Sequence, residues 1–253
     1  MRHSIMSAGE MHNRYCLLGL PRTGSNYCAS LIRKNMSTLF GDVKILSEPY
    51  TPGQGEMIIE TGMLSRTSTS TDLCSLKEHA YHVNSVIRHS DISQPIILKV
   101  FIFREMVEFS KEIIDTLVHA NFKFVINKRL NIEQQILSIA LAHSTGLWLS
   151  EVGCYKHTSN IVTDIGFDNM RTLYKNILDF DDHIKRLGVS APVIYYESMK
   201  DGIAEVLGIP NSAVDMTSNM KKQGTENLYD CIENQEEVRE FIKKLFNAEP
   251  REI

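Results

Sequence analysis

The chain has 253 residues, of which 43% are hydrophobic, and its formal net charge is −4. A chain of this length can bury one sizeable core, so we expect a single domain over residues 1–253, with its core at about 13–247 and a flexible tail at 1–12. The negative charge excludes a global positive field for sequence-independent binding, so we expect no nucleic-acid partner. An anionic ligand would have to be bound by a local group of cations.

The five cysteines indicate a reducing compartment, because they are odd in number and their spacing matches neither a disulfide framework nor a CxxC motif. The polar start of the chain and the lack of an apolar run near ~18 residues predict neither a leader peptide nor a membrane span. His79 and His82 share a predicted helix face, but no third ligand follows at a suitable spacing. We therefore expect a cytoplasmic protein with no metal site.

In chain order, short apolar runs predict strands, and longer segments with a helical period predict helices. The predicted strands are 15–20, 43–46, 96–103, 122–127 and 192–196. The predicted helices are 27–36, 72–88, 109–120, 132–145, 169–187, 203–207 and 235–246. Their alternation predicts a three-layer α/β/α fold with a mostly parallel central sheet and with ligands at the carboxyl ends of its strands.

A candidate phosphate loop, GLPRTGSN at 19–26, follows the first strand. Its glycines, placed between a strand and a helix, allow backbone N–H groups and the helix dipole to bind an anion, and Arg22 adds a charge. The spacing is close to the nucleotide-binding pattern GxxxxGK[ST], but Ser25 and Asn26 stand where that pattern has Lys and Ser/Thr. The alternative is a plain glycine turn, with Ser25 as the helix N-cap and Arg22 in solvent.

The segment PRTGSN at 21–26 resembles the 5′-phosphosulfate loop of the sulfotransferases that use 3′-phosphoadenosine 5′-phosphosulfate (PAPS). The resemblance implies a P-loop-NTPase-like fold in which this loop binds the 5′-phosphosulfate of PAPS. It also implies a set of PAPS-binding residues, which are Arg22, Thr23, Gly24, Ser25, Asn26 and Tyr27.

The segment KRLN at 128–131, followed by Ser138, resembles the place where the same family binds the 3′-phosphate of PAPS. Arginine offers phosphate a fork of N–H groups and a serine on the next helix adds a hydroxyl, so Arg129 and Ser138 are the predicted pair. Leu130 leaves the register of this match open by one residue. The alternative for Ser138 is a bond to a backbone carbonyl of its own helix.

Further matches follow in the family's order along the chain. The segment MKKQG at 220–224 resembles the loop that closes over the 3′-phosphate, which implies contacts from Lys221, Lys222 and Gln223; the alternative is a solvated lysine pair. Three more segments, AHSTGLW at 142–148, IYYESM at 194–199 and VLGIP at 206–210, resemble family motifs, as does IENQEEV at 232–238. We expect Trp148 in the core or a pocket wall, and Glu197 as a structural hydrogen-bond acceptor.

The predicted catalytic residues are Glu48, Lys99 and Arg22. Glu48, in SEPY at 47–50, resembles a glutamate of the trehalose-type and carbohydrate sulfotransferases, and we assign it as the general base. The alternative is that Glu48 is an ordinary loop glutamate in solvent. In that case His82 is the substitute candidate for the base. Lys99 interrupts an apolar strand, where a charge is costly unless it is paired or directed into a site; an edge-strand position and a buried ion pair are its alternatives.

The expected function is sulfuryl transfer from PAPS to a hydroxyl of a carbohydrate or small metabolite, with adenosine 3′,5′-bisphosphate as the product. The matches place the chain nearest to the bacterial trehalose-type and carbohydrate branch of the family. Two alternatives stay open, a P-loop-type kinase for small molecules and a catalytically inactive nucleotide-binding relative. The oligomeric state, including a homo-oligomer, also stays open.

Overall fold

The sheet at the centre of the fold is parallel throughout. The computed structural model describes residues 12–46, 50, 80–81, 83–85, 87–89, 93–102, 107–146, 161–218 and 227–248. Within these residues the strands are β1 (Arg14–Gly19), β2 (Lys44–Leu46), β3 (Ile96–Phe101), β4 (Lys123–Lys128) and β5 (Val193–Tyr195). They lie in the order β2-β3-β1-β4-β5. Each overlaps a strand that the sequence predicts.

Helices follow the strands along the described part of the chain. They are α1 (Ser25–Phe40), α2 (Val107–His119), α3 (Ile132–Thr145), α4 (Asp164–Arg186), α5 (Met199–Leu207) and α6 (Gln235–Asn247), with short 3₁₀ turns at Tyr196–Ser198, Asn211–Ala213 and Leu228–Cys231. Residues 80–81, 83–85 and 87–89 are helical as well. None of the helices described here is both long and apolar enough to span a bilayer.

Both faces of the sheet are covered, because alternate residues of a strand point to opposite sides. On one face, Cys16 and Leu18 belong to a buried cluster with side chains of α2, α3, α4 and α6. On the other face, Tyr15 and Leu17 belong to a second cluster with side chains of α1 and α5. The predicted three-layer arrangement of helices around a parallel sheet is therefore confirmed.

Two helices begin a full turn or more before the predicted residue, and each has a glycine in its added turn. α4 begins at Asp164 rather than at 169, and α5 begins at Met199 rather than at 203. A Cβ atom on Gly166 would lie 2.7 Å from Cγ1 of Val162, and one on Gly202 would lie 2.9 Å from Cγ1 of Ile194. These glycines weaken the helical signal in the sequence while permitting close packing.

The strand order places the first loop of the fold at the centre of the sheet. β1 is flanked by β3 on one side and β4 on the other. This order differs from the dinucleotide-binding order 3-2-1-4-5-6 and from the flavodoxin-like order 2-1-3-4-5. In open parallel sheets, ligands bind outside the carboxyl ends of the strands, where successive connections leave in opposite directions. Here that place is the loop between β1 and α1.

Arg14 is a charged side chain inside the fold. It is 0% exposed, its Nη1 donates to the carbonyl oxygen of Ala120 at 2.8 Å, and its guanidinium lies 4.6 Å from the ring centre of Phe122. Ala120 follows the last residue of α2, where carbonyl groups lack helical partners and the helix dipole is negative. The cation therefore caps the end of α2 from the first residue of β1.

We expect Arg14→Ala to lower the free energy of unfolding by about 2–4 kcal/mol, because it leaves a cavity and removes a charged hydrogen bond. Urea unfolding monitored by circular dichroism measures this loss. The control is Arg33→Ala, an exposed arginine of α1, which should change stability by less than about 0.5 kcal/mol. Equal effects of the two changes would contradict a capping role for Arg14.

Candidate functional site

The loop between β1 and α1 turns through two left-handed residues. Arg22 has φ 64° and Gly24 has φ 76°, one on each side of Thr23. A residue with a Cβ adopts this conformation at a cost of about 1–2 kcal/mol, so Arg22 must be held there by its surroundings. Alternation of this kind turns successive N–H groups toward one concave side, where an anion can bind.

The first turn of α1 begins without a side-chain cap. Gly24 is the N-cap residue and Ser25 is already helical, so the alternative of a turn capped by Ser25 is wrong. The first turn also contains no acidic residue. The free N–H groups of this turn and the positive end of the helix dipole therefore suit an anion from outside the helix.

The hydroxyl of Thr23 is directed into the protein. It is a donor placed 3.0 Å from the carbonyl oxygen of Leu20 and 2.8 Å from Oδ1 of Asn127, and Thr23 is 3% exposed. A hydroxyl has a single proton, and both acceptors here belong to the protein. Thr23 can therefore serve an anion through its backbone N–H, while its hydroxyl shapes the loop.

Arg22 and Ser138, which the sequence assigns to different phosphates, lie in contact. Nε of Arg22 donates to Oγ of Ser138 at 2.8 Å, and Ser138 is 4% exposed. A second residue of α3, Gln135, donates through Nε2 to the carbonyl oxygen of Pro21 at 2.9 Å. One face of α3 therefore holds the loop at two neighbouring residues.

Arg129 lies against the same loop. Its Nη1 is 3.5 Å from the carbonyl oxygen of Arg22, its guanidinium is 4.8 Å from the ring centre of Tyr196, and its Nε is 4.0 Å from Oε1 of Glu197. Lys128, the other basic residue here, pairs instead with Asp181 of α4. Arg129 rather than Lys128 therefore joins the loop, and the two predicted phosphate sites are adjacent.

Glu197 accepts two backbone hydrogen bonds, as the sequence predicts for a structural acceptor. Its carboxylate accepts from the N–H of Leu130 at 3.0 Å and from the N–H of Asn131 at 3.1 Å. Asn131 in turn caps α3, since its Oδ1 accepts from the N–H of Gln134 at 2.9 Å. The turn that carries Arg129 is thereby fixed at the carboxyl end of β4.

The ring of Tyr196 packs directly on Gly24. A Cβ atom on Gly24 would lie 2.3 Å from Cδ2 and 2.6 Å from Cε2 of this ring. Tyr196 is 8% exposed, and burial raises the pKa of its hydroxyl, so the phenol keeps its proton at neutral pH. The same ring therefore contacts the β1–α1 loop and the guanidinium of Arg129.

We expect Gly24→Ala to cost about 3 kcal/mol of stability or more, because both its positive φ and the Tyr196 ring oppose a methyl group. The matched control is Gly146→Ala, whose φ of 70° is similar but whose Cβ would meet nothing within 4 Å. The control should lose only the conformational part, about 1 kcal/mol. Equal losses in urea unfolding would contradict the role of the Tyr196 contact.

Lys99 reaches the loop from β3. It is 1% exposed, and its Nζ donates to Oδ1 of Asn26. β3 lies between β2 and β1, which excludes an edge-strand position for this lysine. In the nucleotide-binding pattern, the position of Asn26 holds a hydroxyl that binds Mg²⁺. Here the residue at this position, Asn26, binds the ammonium group of Lys99 instead. The neighbouring strand β3 therefore supplies the loop with a fixed cation.

His143 is a residue near the site that the sequence does not single out. Burial and, second, the positive charge of Arg22 lower the pKa of His143 below its ordinary value. A neutral imidazole at pH 7 follows from that direction. His143 lies on α3, like Ser138, and nothing in its spacing along the chain distinguishes it from a solvated histidine.

A cleft of about 590 Å³ lies beside the turn that follows β4. It is lined by Leu130, Asn131, Ile132, Glu133, Tyr174 and Phe246. Leu130 and Phe246 are 61% and 40% exposed, so much of the wall is apolar and open to solvent. Such walls suit an uncharged group rather than a phosphate.

Several predicted residues lie outside the described part of the chain, and their roles stay predictions. They are Glu48, His82, Trp148, Lys221, Lys222 and Gln223.

Tyr50, two positions after Glu48, is 2% exposed and donates to Oδ1 of Asn84 at 2.8 Å. Tyr27, on the first turn of α1, is half-buried. In the described ranges, no group of three or more His, Cys, Asp or Glu side chains is placed to hold a metal ion.

No protein-family model matches the chain, and a search among curated proteins finds no match. The function must therefore be inferred from the residues around the β1–α1 loop. Arg22, Lys99 and Arg129 bring three positive charges to the carboxyl ends of the strands, in a chain whose net charge is −4. A ligand for this place should carry concentrated negative charge.

Proposed function

We propose that this protein is a PAPS-dependent sulfotransferase with a P-loop-NTPase-like fold. It moves a sulfuryl group from PAPS to a hydroxyl of a carbohydrate or small metabolite and releases adenosine 3′,5′-bisphosphate. The observation that carries the proposal is the meeting of Arg22 and Arg129 at one loop, where Nη1 of Arg129 lies 3.5 Å from the carbonyl oxygen of Arg22. Two cations and an uncapped helix at one place favour a ligand with more than one anionic group.

In this proposal, two groups of residues bind the two anionic ends of PAPS. The loop amides and Arg22 bind the 5′-phosphosulfate, and Arg129 binds the 3′-phosphate. Ser138 touches Arg22 at 2.8 Å, so its hydroxyl supports the 5′ side as well as the 3′ side that its motif implies. The glutamate that fixes Arg129's turn, Glu197, keeps the second cation at a set place relative to the first.

Sulfuryl transfer requires a base and a cation near the leaving group. The acceptor oxygen attacks sulfur, the bond from sulfur to the 5′-phosphate oxygen breaks, and the acceptor's proton passes to a base, which we assign as Glu48. Arg22 and Lys99 stabilise the negative charge that develops on the bridging and sulfuryl oxygens. Lys99 suits this role because Asn26 holds its ammonium group at the loop.

The kinase alternative has less support from the site. Ser25 stands where a P-loop lysine would reach the γ-phosphate, and Asn26 contacts Lys99 in place of a hydroxyl that binds Mg²⁺. An ammonium group at that position competes with a divalent metal for the same space and charge. The inactive-relative alternative shares the binding site and is separated from the proposal by turnover alone.

Calorimetric titration of the full chain tests the proposal, with adenosine 3′,5′-bisphosphate compared with ATP and Mg²⁺. We expect the bisphosphate to bind at micromolar concentrations or below and Arg22→Ala to weaken it by about 10–100-fold, the loss of one charged hydrogen-bonding group. Arg33→Ala, an exposed arginine of α1 away from the loop, is the matched control. Tight binding of ATP with Mg²⁺ and none of the bisphosphate would overturn the assignment.

Turnover with labelled PAPS and a panel of hydroxylated acceptors separates an enzyme from an inactive relative. Binding without any labelled product across carbohydrates and small alcohols would favour the inactive relative. Glu48→Gln should reduce turnover by about 10²–10⁴-fold if Glu48 is the base. Unchanged turnover in this variant would move the base to another residue.

A further inference from the structure

Asn127 is a buried polar side chain in the interior of the sheet. It is 1% exposed and lies near the carboxyl end of β4, opposite Gly19 of β1 and Ile194 of β5. Burying an amide side chain costs free energy unless the amide is hydrogen-bonded, whereas an apolar side chain would fit a buried strand position without that cost. Its presence therefore calls for a specific role.

The side chain of Asn127 joins the last strand of the sheet to the phosphate loop. Its Oδ1 accepts from Oγ1 of Thr23 at 2.8 Å, and its Nδ2 donates to the carbonyl oxygen of Ile194 at 3.3 Å. Oγ1 of Thr23 also lies 3.0 Å from the carbonyl oxygen of Leu20 at the start of the loop. Polar contacts thus run from Ile194 of β5 through Asn127 and Thr23 to Leu20 at the start of the loop.

The contact explains how an unfavourable loop conformation is kept. Thr23 lies between Arg22 and Gly24, both left-handed, with φ 64° and 76°. Fixing Thr23 by its side chain limits the backbone of both neighbours. The packing is close as well, since a Cβ atom on Gly19 would lie 3.0 Å from the carbonyl oxygen of Asn127 and 3.5 Å from Oγ1 of Thr23.

We propose that Asn127 is a positioning residue for the anion site. Acting through Thr23, it holds the β1–α1 loop in the conformation in which Arg22 reaches Ser138 and the first N–H groups of α1 stay available to a phosphate or phosphosulfate. Asn127 itself does not touch the ligand. The inference rests on the proposed function only in taking this loop as the anion-binding element.

A double-mutant cycle separates positioning from plain stabilisation. Thr23→Val and Asn127→Leu each keep the approximate shape of the side chain. Thr23→Val leaves Oδ1 of Asn127 without its donor, and Asn127→Leu leaves the Thr23 hydroxyl with Leu20 as its remaining acceptor, so each should lower the midpoint of urea unfolding. The double variant removes both groups and should recover part of that loss. If the pair positions the loop, ligand affinity stays low in the double variant even though its stability recovers.

Two readouts follow the loop directly. The first is the dissociation constant for adenosine 3′,5′-bisphosphate and for inorganic pyrophosphate, which we expect to rise about tenfold or more in all three variants. The second is amide hydrogen exchange of the peptide that contains residues 20–25 in the ligand-free protein, which we expect to become at least tenfold faster. Thr23→Ser keeps the hydroxyl and should bind both ligands more tightly than Thr23→Val does.

Asn35→Leu is the matched control for a lost buried asparagine. Asn35 is 4% exposed, and it exchanges hydrogen bonds with the backbone of Asp215 at 2.9 Å and 2.8 Å. It lies in α1 about 15 Å along the helix from the loop, by the rise of ~1.5 Å per residue. Its loss should reduce stability and leave exchange in residues 20–25 unchanged.

The outcomes decide between the two roles. Unchanged loop exchange in Thr23→Val and Asn127→Leu, or affinity that recovers together with stability in the double variant, would overturn the positioning role. If the wild-type protein binds neither the bisphosphate nor pyrophosphate, the proposed function fails. The exchange measurement in the ligand-free protein then still tests Asn127 by itself.

Discussion

Arg129→Ala should weaken the binding of adenosine 3′,5′-bisphosphate by about 10–100-fold and leave the binding of adenosine 5′-phosphate nearly unchanged. The guanidinium is 11% exposed and lies between the ring of Tyr196 and the carboxylate of Glu197, so it is a prepositioned cation. Because little conformational freedom is lost when such a group binds, most of its interaction energy appears as affinity. Titration of each variant with both nucleotides measures the effect.

Lys128→Ala is the control for this experiment. Lys128 is the adjacent basic residue, but its ammonium group pairs with Asp181 and lies 5.9 Å from the ring centre of Phe180. We expect this change to alter the affinity for either nucleotide by less than about threefold, as for a surface ion pair. Equal losses for both nucleotides in Arg129→Ala would mean that Arg129 supports the loop rather than the 3′-phosphate.

Lys99→Met should reduce turnover with PAPS by about 10²–10³-fold, while the affinity for adenosine 3′,5′-bisphosphate changes by less than about threefold. The product lacks the sulfuryl group, so a cation that acts on this group contributes little to binding the product. Methionine keeps the length and the apolar part of the side chain, which limits any loss of packing at this 1% exposed position. Initial rates and calorimetry on the same preparations give the two quantities.

Lys123→Met is the matched control, because Lys123 is an exposed lysine at the amino end of β4. It should leave turnover unchanged. A parallel loss of affinity and turnover in Lys99→Met would indicate that Lys99 shapes the loop through Asn26, rather than stabilising charge during transfer. A fall in the urea midpoint that accounts for the loss of activity would lead to the same conclusion.

The secondary structure could be predicted because its signals are local, and a local signal also directed attention to the candidate site. α3 spans Ile132–Thr145, as its apolar period predicts, and the glycine loop after β1 is recognisable by its residue types alone. The ends of helices were less predictable. Gly166 weakened the signal for the first turn of α4, and Ser25, a favourable N-cap type, lies inside α1 because Gly24 takes the cap.

The sequence by itself therefore determined the α/β alternation, the glycine loop after β1 and the presence of a charged residue, Lys99, in an apolar strand, because each of these is visible in a short stretch of neighbouring residues. Only the tertiary structure decided which groups meet. Arg22 contacts Ser138, 116 positions away, and Thr23 contacts Asn127, 104 positions away. Such contacts depend on the strand order β2-β3-β1-β4-β5, which places the ends of β1 and β4 side by side. The apolar pattern of each strand is compatible with several orders, so the pattern alone does not select these pairs.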